Sequence, residues 1–234
     1  MGAKYLKQNY TALGDGMNCF EFEHVSFAWP GGRTVLADQS FTIAQGRFVV
    51  VRGPSGSGKS TLLRMMNRLE EPRSGTIRYR DLDLADYDPP RLRQRVRYFQ
   101  QMPVVDDVTV RETMLMPFKY AVNKELTPPS DDALTARLGD VHLEMVDLEE
   151  RAGALSVGQR QRLSLVRALM TGPEVLLLDE PTASLYSESQ AIVERMAERL
   201  CDDGTTIIMV THGGFSPRRV PMVEIHLDDG KVTI

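Results

Sequence analysis

Eight consecutive residues carry the clearest chemistry in this chain. Gly53-Pro54-Ser55-Gly56-Ser57-Gly58-Lys59-Ser60 fits the pattern GxxxxGK[ST] in full. The pattern works because a backbone curled by glycines points successive N–H groups inward at a run of phosphates. Lys59 adds a point charge for the outer phosphates, and the Ser60 hydroxyl is placed to ligate Mg2+. Thr61 follows in the same cradle, at the start of a predicted helix whose N-terminal end is positive. A Gly/Ser turn that only joined a strand to a helix would explain neither the lysine nor the hydroxyl. Nucleotide binding is the expectation, with ATP and Mg2+ as ligands.

A second group lies about 120 residues further on. Val175-Leu176-Leu177-Leu178-Asp179-Glu180 reads as an apolar strand ending in two acids, so both carboxylates emerge at the carboxyl edge of a sheet, where open α/β folds bind ligands. Asp179 can reach Mg2+ or its waters. Glu180 can orient the water that attacks the terminal phosphate, the main task left to a protein when the transition state is loose. A helix cap or a solvated strand end is the plainer reading of such a pair. His212 ends the next predicted strand at the same edge and is expected near the phosphate or the water, whereas His24, His142 and His226 read as surface histidines.

The elements that must position these groups follow from periodicity. Residues 19–29 alternate, with Phe20, Phe22, Val25 and Phe27 apolar, and break at Pro30-Gly31-Gly32; a second arm runs over 34–43. Phe48-Val49-Val50-Val51 is a continuous β-branched run of a strand buried on both faces, and it leads into the glycine-rich loop. Helical spacing follows over 60–69, a strand and turn over 76–84, a short helix over 90–94 and a strand over 96–99. Helical periodicity dominates 110–151, broken by the polar, Pro-rich loop 127–132. A helix over about 157–170, the strand 175–178, a helix over about 188–201, the strand 206–210 and a last hairpin over 223–234 complete the chain. Strands alternating with helices imply a mainly parallel sheet covered on both faces.

Composition excludes several classes. The 234 residues are 42% apolar and carry a formal net charge of −4, so there is no broad basic field for nucleic acid or an anionic bilayer. Cys19 and Cys201 lie far apart, outside any CxxC or Cys/His cluster, and read as buried small hydrophobes. The first residues lack the apolar core of a signal peptide, and no stretch approaches the ~20 apolar residues that span a bilayer. A reducing, cytoplasmic location is expected.

Leu155-Ser156-Val157-Gly158-Gln159, followed by Arg160-Gln161-Arg162-Leu163, closely resembles the signature motif LSGGQ-x-QR of ABC ATPases. The resemblance extends in order from about Phe20 to the C-terminus. Val25-Ser26-Phe27-Ala28-Trp29-Pro30-Gly31-Gly32 is similar to the segment whose aromatic stacks on adenine, which puts Trp29 there, with a core tryptophan as the alternative. Val96-Arg97-Tyr98-Phe99-Gln100-Gln101 resembles the strand leading to the glutamine that contacts Mg2+ and hinges the helical subdomain. Strand phase favours Gln101, with Gln100 as the alternative. Two positions depart from the family: Val157 replaces a glycine, and Tyr186, after Pro181-Thr182-Ala183-Ser184-Leu185, stands where the family has an Asp that bonds across the dimer. That second change puts the coupling or symmetry of the two sites in doubt.

The resemblance implies an α/β fold with a phosphate-loop, RecA-like core, an N-terminal antiparallel β subdomain and an inserted α-helical subdomain. It implies one domain over 18–234, with the antiparallel part at 18–50, the nucleotide-binding core at 51–101 and 157–234, the helical part at 102–156, and an extension at 1–17. It implies an ATPase subunit of a transporter that pairs head to tail as a homodimer or heterodimer on nucleotide binding. Ser156, Gly158 and Gln159 of each subunit then close over the ATP held by the other, and the subunit sits at the inner face of the membrane on an integral membrane permease. The surface over 102–124, with Met102, Pro103, Val104, Val105, Met114, Met116, Phe118 and Tyr120, is either the groove for that permease or, for about half of it, subdomain core. A non-transport ABC ATPase of DNA repair or the ribosome is the alternative; those proteins carry a long coiled-coil insertion or two cassettes, and neither feature occurs in these 234 residues.

Overall fold

The computed structural model describes residues 17–32, 34–100, 106–183, 185–211 and 214–234. Among these residues ten strands form two sheets. The first is antiparallel, in the order β2-β1-β4-β5, from β1 (Asn18–Ala28), β2 (Thr34–Ala44), β4 (Ser74–Tyr79) and β5 (Leu82–Asp83). The second has the order β10-β9-β3-β8-β7-β6, from β3 (Phe48–Arg52), β6 (Val96–Phe99), β7 (Val175–Asp179), β8 (Thr206–Val210), β9 (Met222–Asp228) and β10 (Lys231–Thr233). Its pairings are parallel except for the β9–β10 hairpin.

The antiparallel part therefore differs from the expected 18–50. A two-stranded hairpin is marginal alone, and β1 finds its second neighbour in β4, beyond the phosphate loop. Phe48–Arg52, in contrast, lies inside the parallel sheet between β8 and β9.

Alternation along the buried strands divides the interior in two. Val49 and Val51 of β3, Val175 and Leu177 of β7, and Ile208 and Val210 of β8 face a core shared with the first sheet. That core takes in α1 (Lys59–Met66), which inserts Leu62, Leu63, Met65 and Met66. Phe48, Val50, Leu176, Leu178, Ile207 and Met209 face the opposite core, with α3 (Val110–Leu115), α4 (Asp131–Gly139), α5 (Val157–Leu169) and α6 (Ser187–Asp202). A strand covered on both faces needs apolar residues at every position, hence the unbroken runs.

The apolar positions of β1 are out of step: Phe20 and Phe22 are even, Val25 and Phe27 odd, yet all four are buried in the same core. A bulge reconciles them. His24 has φ 53° and its neighbour on β2, Asp38, φ 52°; pairing shifts between Phe22 and Val25, and His24 Nδ1 lies 2.9 Å from Asp38 Oδ1 on the exposed side. The extra residue turns the second half of the strand over, so both pairs point inward.

Helix α1 ends three residues before the expected Leu69. Arg68 adopts φ 55°, its N–H donates to the Met65 carbonyl at 3.2 Å and the Leu69 N–H to Arg64 at 2.9 Å. This is the Schellman closure, here with arginine in the left-handed position. The Arg68 side chain holds it by donating to the carbonyls of Ala85 and Tyr87.

The helical periodicity expected to dominate 110–151, broken at 127–132, is realised only in part. After α3 come 3-10 turns at Met116–Lys119 and Ala121–Asn123, then α4. Pro117 occupies the start of the first turn and cannot continue an α-helix. Beyond Gly139, the buried residues Val141, Leu143, Val146 and Leu148 have no helical spacing and belong to a chain of turns. The short α2 (Pro89–Arg95) leads from the first sheet into β6, with the Asp88 carboxylate capping its N-terminus.

Candidate nucleotide site

The loop between β3 and α1 is the bowl expected of its sequence. Gly53 has φ 144° and Gly58 φ 104°; a Cβ on Gly53 would stand 2.0 Å from the Leu227 carbonyl, and one on Gly58 2.2 Å from Val35. No other residue type fits either place. A Cβ on Gly56 would meet nothing within 4 Å, so the bowl is open there. No side chain caps α1 at Gly58, which leaves its first N–H groups for a ligand. Lys59 is buried, and its ammonium donates to the carbonyls of Gly53 at 3.0 Å and Pro54 at 2.8 Å. Burial pulls its pKa below the ordinary lysine value, opposed by the charges of Glu180 and Asp179.

The second group meets the first directly. Asp179, buried at the end of β7, accepts a hydrogen bond from the Ser60 hydroxyl on Oδ1 at 2.9 Å. Its Oδ2 accepts from the Tyr98 hydroxyl at 2.6 Å. Burial pushes the Tyr98 phenol up to about 12, with its bond to Asp179 acting in the same direction and a bond from Arg64 against it. Glu180 follows with φ 48°, and its N–H donates to Val210 at 3.1 Å. The left-handed conformation ends the strand there; a non-glycine residue held so costs of order 1–3 kcal/mol, a strain that collects at functional sites.

Ser60 and Asp179 are hard oxygen donors brought together across 119 positions of sequence, beside a cationic phosphate cradle. Mg2+ takes one or two protein oxygens and completes its shell with phosphate and water, and this pair fits that requirement. Among the described residues no cluster of three or more His, Cys, Asp or Glu could hold a metal by protein ligands alone.

The signature segment builds a separate feature. Ser156 caps α5: its hydroxyl accepts from the Gln159 N–H at 3.3 Å, while Gln159 Oε1 accepts from the Ser156 N–H at 2.9 Å. This reciprocal box spends both side chains on the first turn. Val157 is exposed beside it, and a Cβ on Gly158 would lie 3.1 Å from Ser189 Oγ of α6. One turn on, Gln161 Nε2 donates to the buried carbonyl of Pro181 at 3.0 Å, tying α5 to the loop after Glu180. Tyr186, at the N-cap of α6, is 91% exposed and makes no cap bond.

Trp29 is 40% exposed and stands edge-on to Phe27, with centroids 5.2 Å apart. Gln100 is exposed at the end of β6. Gln101, His212, Ser184 and the apolar residues Met102, Pro103, Val104 and Val105 lie outside the described residues. Of the remaining apolar set, Met114 is core, Met116 and Phe118 are half-buried and Tyr120 is exposed. Periodicity did not reveal Tyr98 or Gln161. The only trace of the first is a hydroxyl on the strand beside the one that ends in Asp179.

A twisted, mainly parallel sheet with a phosphate loop after β3 and an acid pair after its neighbour but one defines an α/β nucleotide-binding fold of the phosphate-loop class. The family description "ABC transporter" matches residues 36–183, and the chain belongs to that family. Among curated relatives, the macrolide export ATP-binding/permease protein MacB of Salmonella choleraesuis is 36% identical over 222 residues, 91% of this chain and 33% of MacB. The phosphonates import ATP-binding protein PhnC of Chromohalobacter salexigens is 36% identical over 193 residues, covering 78% of this chain and 71% of PhnC. The chain spans 16% to 33% of the length of the first curated relatives it matches. Among solved structures, the ATP-binding cassette MJ0796, a dimer in a post-hydrolysis state bound to ADP and Pi, superposes with a TM-score of 0.74 at 29% identity, over 91% of this chain and 96% of that one. The fold of cbiO1 from Clostridium perfringens, part of the ABC transporter complex cbiONQ, matches with a TM-score of 0.77 at 23% identity, over 94% and 88%.

Proposed function

We propose that this chain binds ATP with Mg2+ and hydrolyses it as the motor of a transporter, driving a head-to-tail pair of such domains together and apart against a membrane permease. The observation that carries this reading is the 2.9 Å pairing of Ser60 with Asp179, beside Lys59 and one residue before Glu180. The loop residues Gly53, Pro54, Ser55, Gly56, Ser57, Gly58 and Thr61 cradle the phosphates, and Trp29 stacks on the base. Lys59 exchanges its loop carbonyls for phosphate oxygens.

Ser60 and Asp179, joined by Gln101, would hold Mg2+, which supplies neutralisation of charge on the phosphate oxygens. Glu180 orients the attacking water, and His212 serves the terminal phosphate. Ser156, Gly158 and Gln159 face the nucleotide of the opposing domain, with the opened cap of α5 presenting its N–H groups. The helical part, 102–156, receives the permease at the inner face of the membrane, and the partner domain is a second copy or a related chain. Among the described residues no helix is long and apolar enough to cross a membrane. The family match favours transport over DNA repair or ribosomal work.

The test is the mass of a Glu180→Gln variant with and without ATP. A shift from monomer to dimer on adding ATP supports the two-site motor. A monomer with ATP bound would reject closure by this chain alone and place it with a different second domain or on the permease.

A further inference from the structure

We propose that Tyr98 is a positioning residue for the Mg2+ site, its hydroxyl fixing the rotation of the Asp179 carboxylate so that one oxygen is kept for Ser60 and the metal. The inference rests on the reading of Ser60 and Asp179 as the metal-holding pair.

The placement follows from register. Tyr98 on β6 pairs with Leu177 on β7, and Asp179, two residues beyond Leu177, points to the same face of the sheet. A tyrosine there reaches diagonally to the strand end, and its hydroxyl meets Oδ2 at 2.6 Å. The direction of that bond is determined by Arg64 of α1, which donates to the same phenolic oxygen. A guanidinium can only donate, so the Tyr98 proton is directed to Asp179. The result is a chain from Arg64 to Tyr98 to Asp179, met from the other side by Ser60. It ties β6 to α1 and β7, the elements that carry Ser60 and Asp179.

The torsion that turns an aspartate carboxylate is broad and weakly restrained by itself. With Ser60 as the sole partner, Asp179 could turn toward the buried Lys59 ammonium, whose charge already acts on it. Tyr98 removes that freedom by holding the oxygen that the metal does not need.

The experiment measures affinity for a fluorescent ATP analogue in Mg2+ and in EDTA for wild type, Tyr98→Phe, Arg64→Gln and Ser60→Ala. Tyr98→Phe keeps the ring and the packing. Its affinity is expected to fall about tenfold in Mg2+, the scale of one hydrogen bond to a charged group, and to stay unchanged in EDTA. Arg64→Gln is expected to show a smaller loss, again in Mg2+ only. Equal losses in Mg2+ and EDTA, or no loss in either, would overturn the assignment. Ser60→Ala separates the two readings. A Mg2+-specific loss there without one in Tyr98→Phe overturns the role of Tyr98 alone, and no Mg2+-specific loss in Ser60→Ala overturns the metal-holding pair itself.

Discussion

Gln161 of α5 donates its amide to the carbonyl of Pro181 at 3.0 Å, both groups buried. Pro181 directly follows Glu180, and about one turn of helix separates Gln161 from the Ser156 cap. The loop that follows Glu180 and the helix capped by Ser156 are thus joined through one side chain. Gln161→Leu leaves the Pro181 carbonyl without this donor in a dry place, and the loss of stability should be about 1–3 kcal/mol. Urea unfolding followed by circular dichroism measures it, and a variant as stable as wild type would show that the bond contributes nothing net.

Lys59 is held by two loop carbonyls. In Lys59→Ala the loop keeps its glycine-determined shape, while the charge for the outer phosphates is lost. ATP affinity should fall about 10- to 100-fold, the range of one to two charge-assisted bonds, with the far-ultraviolet spectrum unchanged. Titration calorimetry checks this, and equal affinities would refute the assignment.

Trp29 is the chain's single tryptophan, half out of solvent on the turn after β1. Its emission should therefore report the base directly, changing on addition of ATP. Trp29→Ala should lower nucleotide affinity roughly tenfold, a stacking loss of about 1–1.5 kcal/mol, with a modest effect on stability. Emission indifferent to saturating ATP would remove Trp29 from the site.

Burial pushes the Cys19 thiol up to about 12 and the Cys201 thiol up to about 11. Both stay protonated in the folded chain at pH values where an unfolded thiol, near 8.5, ionises. A folded pKa above the unfolded one gives stability that is complete below about pH 8.5 and is lost as pH rises toward 11. Unfolding free energy should decline over that window, less steeply in Cys19→Ala measured against its own neutral-pH value. Neither thiol should react with iodoacetamide at pH 8 without denaturant.

The mainly parallel sheet covered on both faces and the phosphate loop were legible because each rests on a local pattern: unbroken apolar runs in β3, β7 and β8, and a motif whose residues are contiguous. The strand order was not, since β1 takes its second neighbour, β4, from beyond the phosphate loop. The pairing of Ser60 with Asp179 was legible because both lie at carboxyl ends or just beyond them in one parallel sheet. Tyr98 and Gln161 were not, since a diagonal reach between strands and a bond from helix to loop leave no period in the chain. The segment after Gly139 failed for a related reason. Val141, Leu143, Val146 and Leu148 are buried by their surroundings, and their spacing belongs to no regular element. Likewise the left-handed arginine at the end of α1 was hidden, because its support comes from the distant carbonyls of Ala85 and Tyr87.

The phase slip in β1 also bears on how the strand finds its partners. Phe20 and Phe22 share one parity, Val25 and Phe27 the other, so a regular pairing without the bulge at His24 can bury only one pair and must leave the other in water. Any misaligned hairpin forfeits about half of its apolar reward at once. The offset thus acts as a proofreading mark: the strand is accepted in one alignment, and an error of a single residue is penalised.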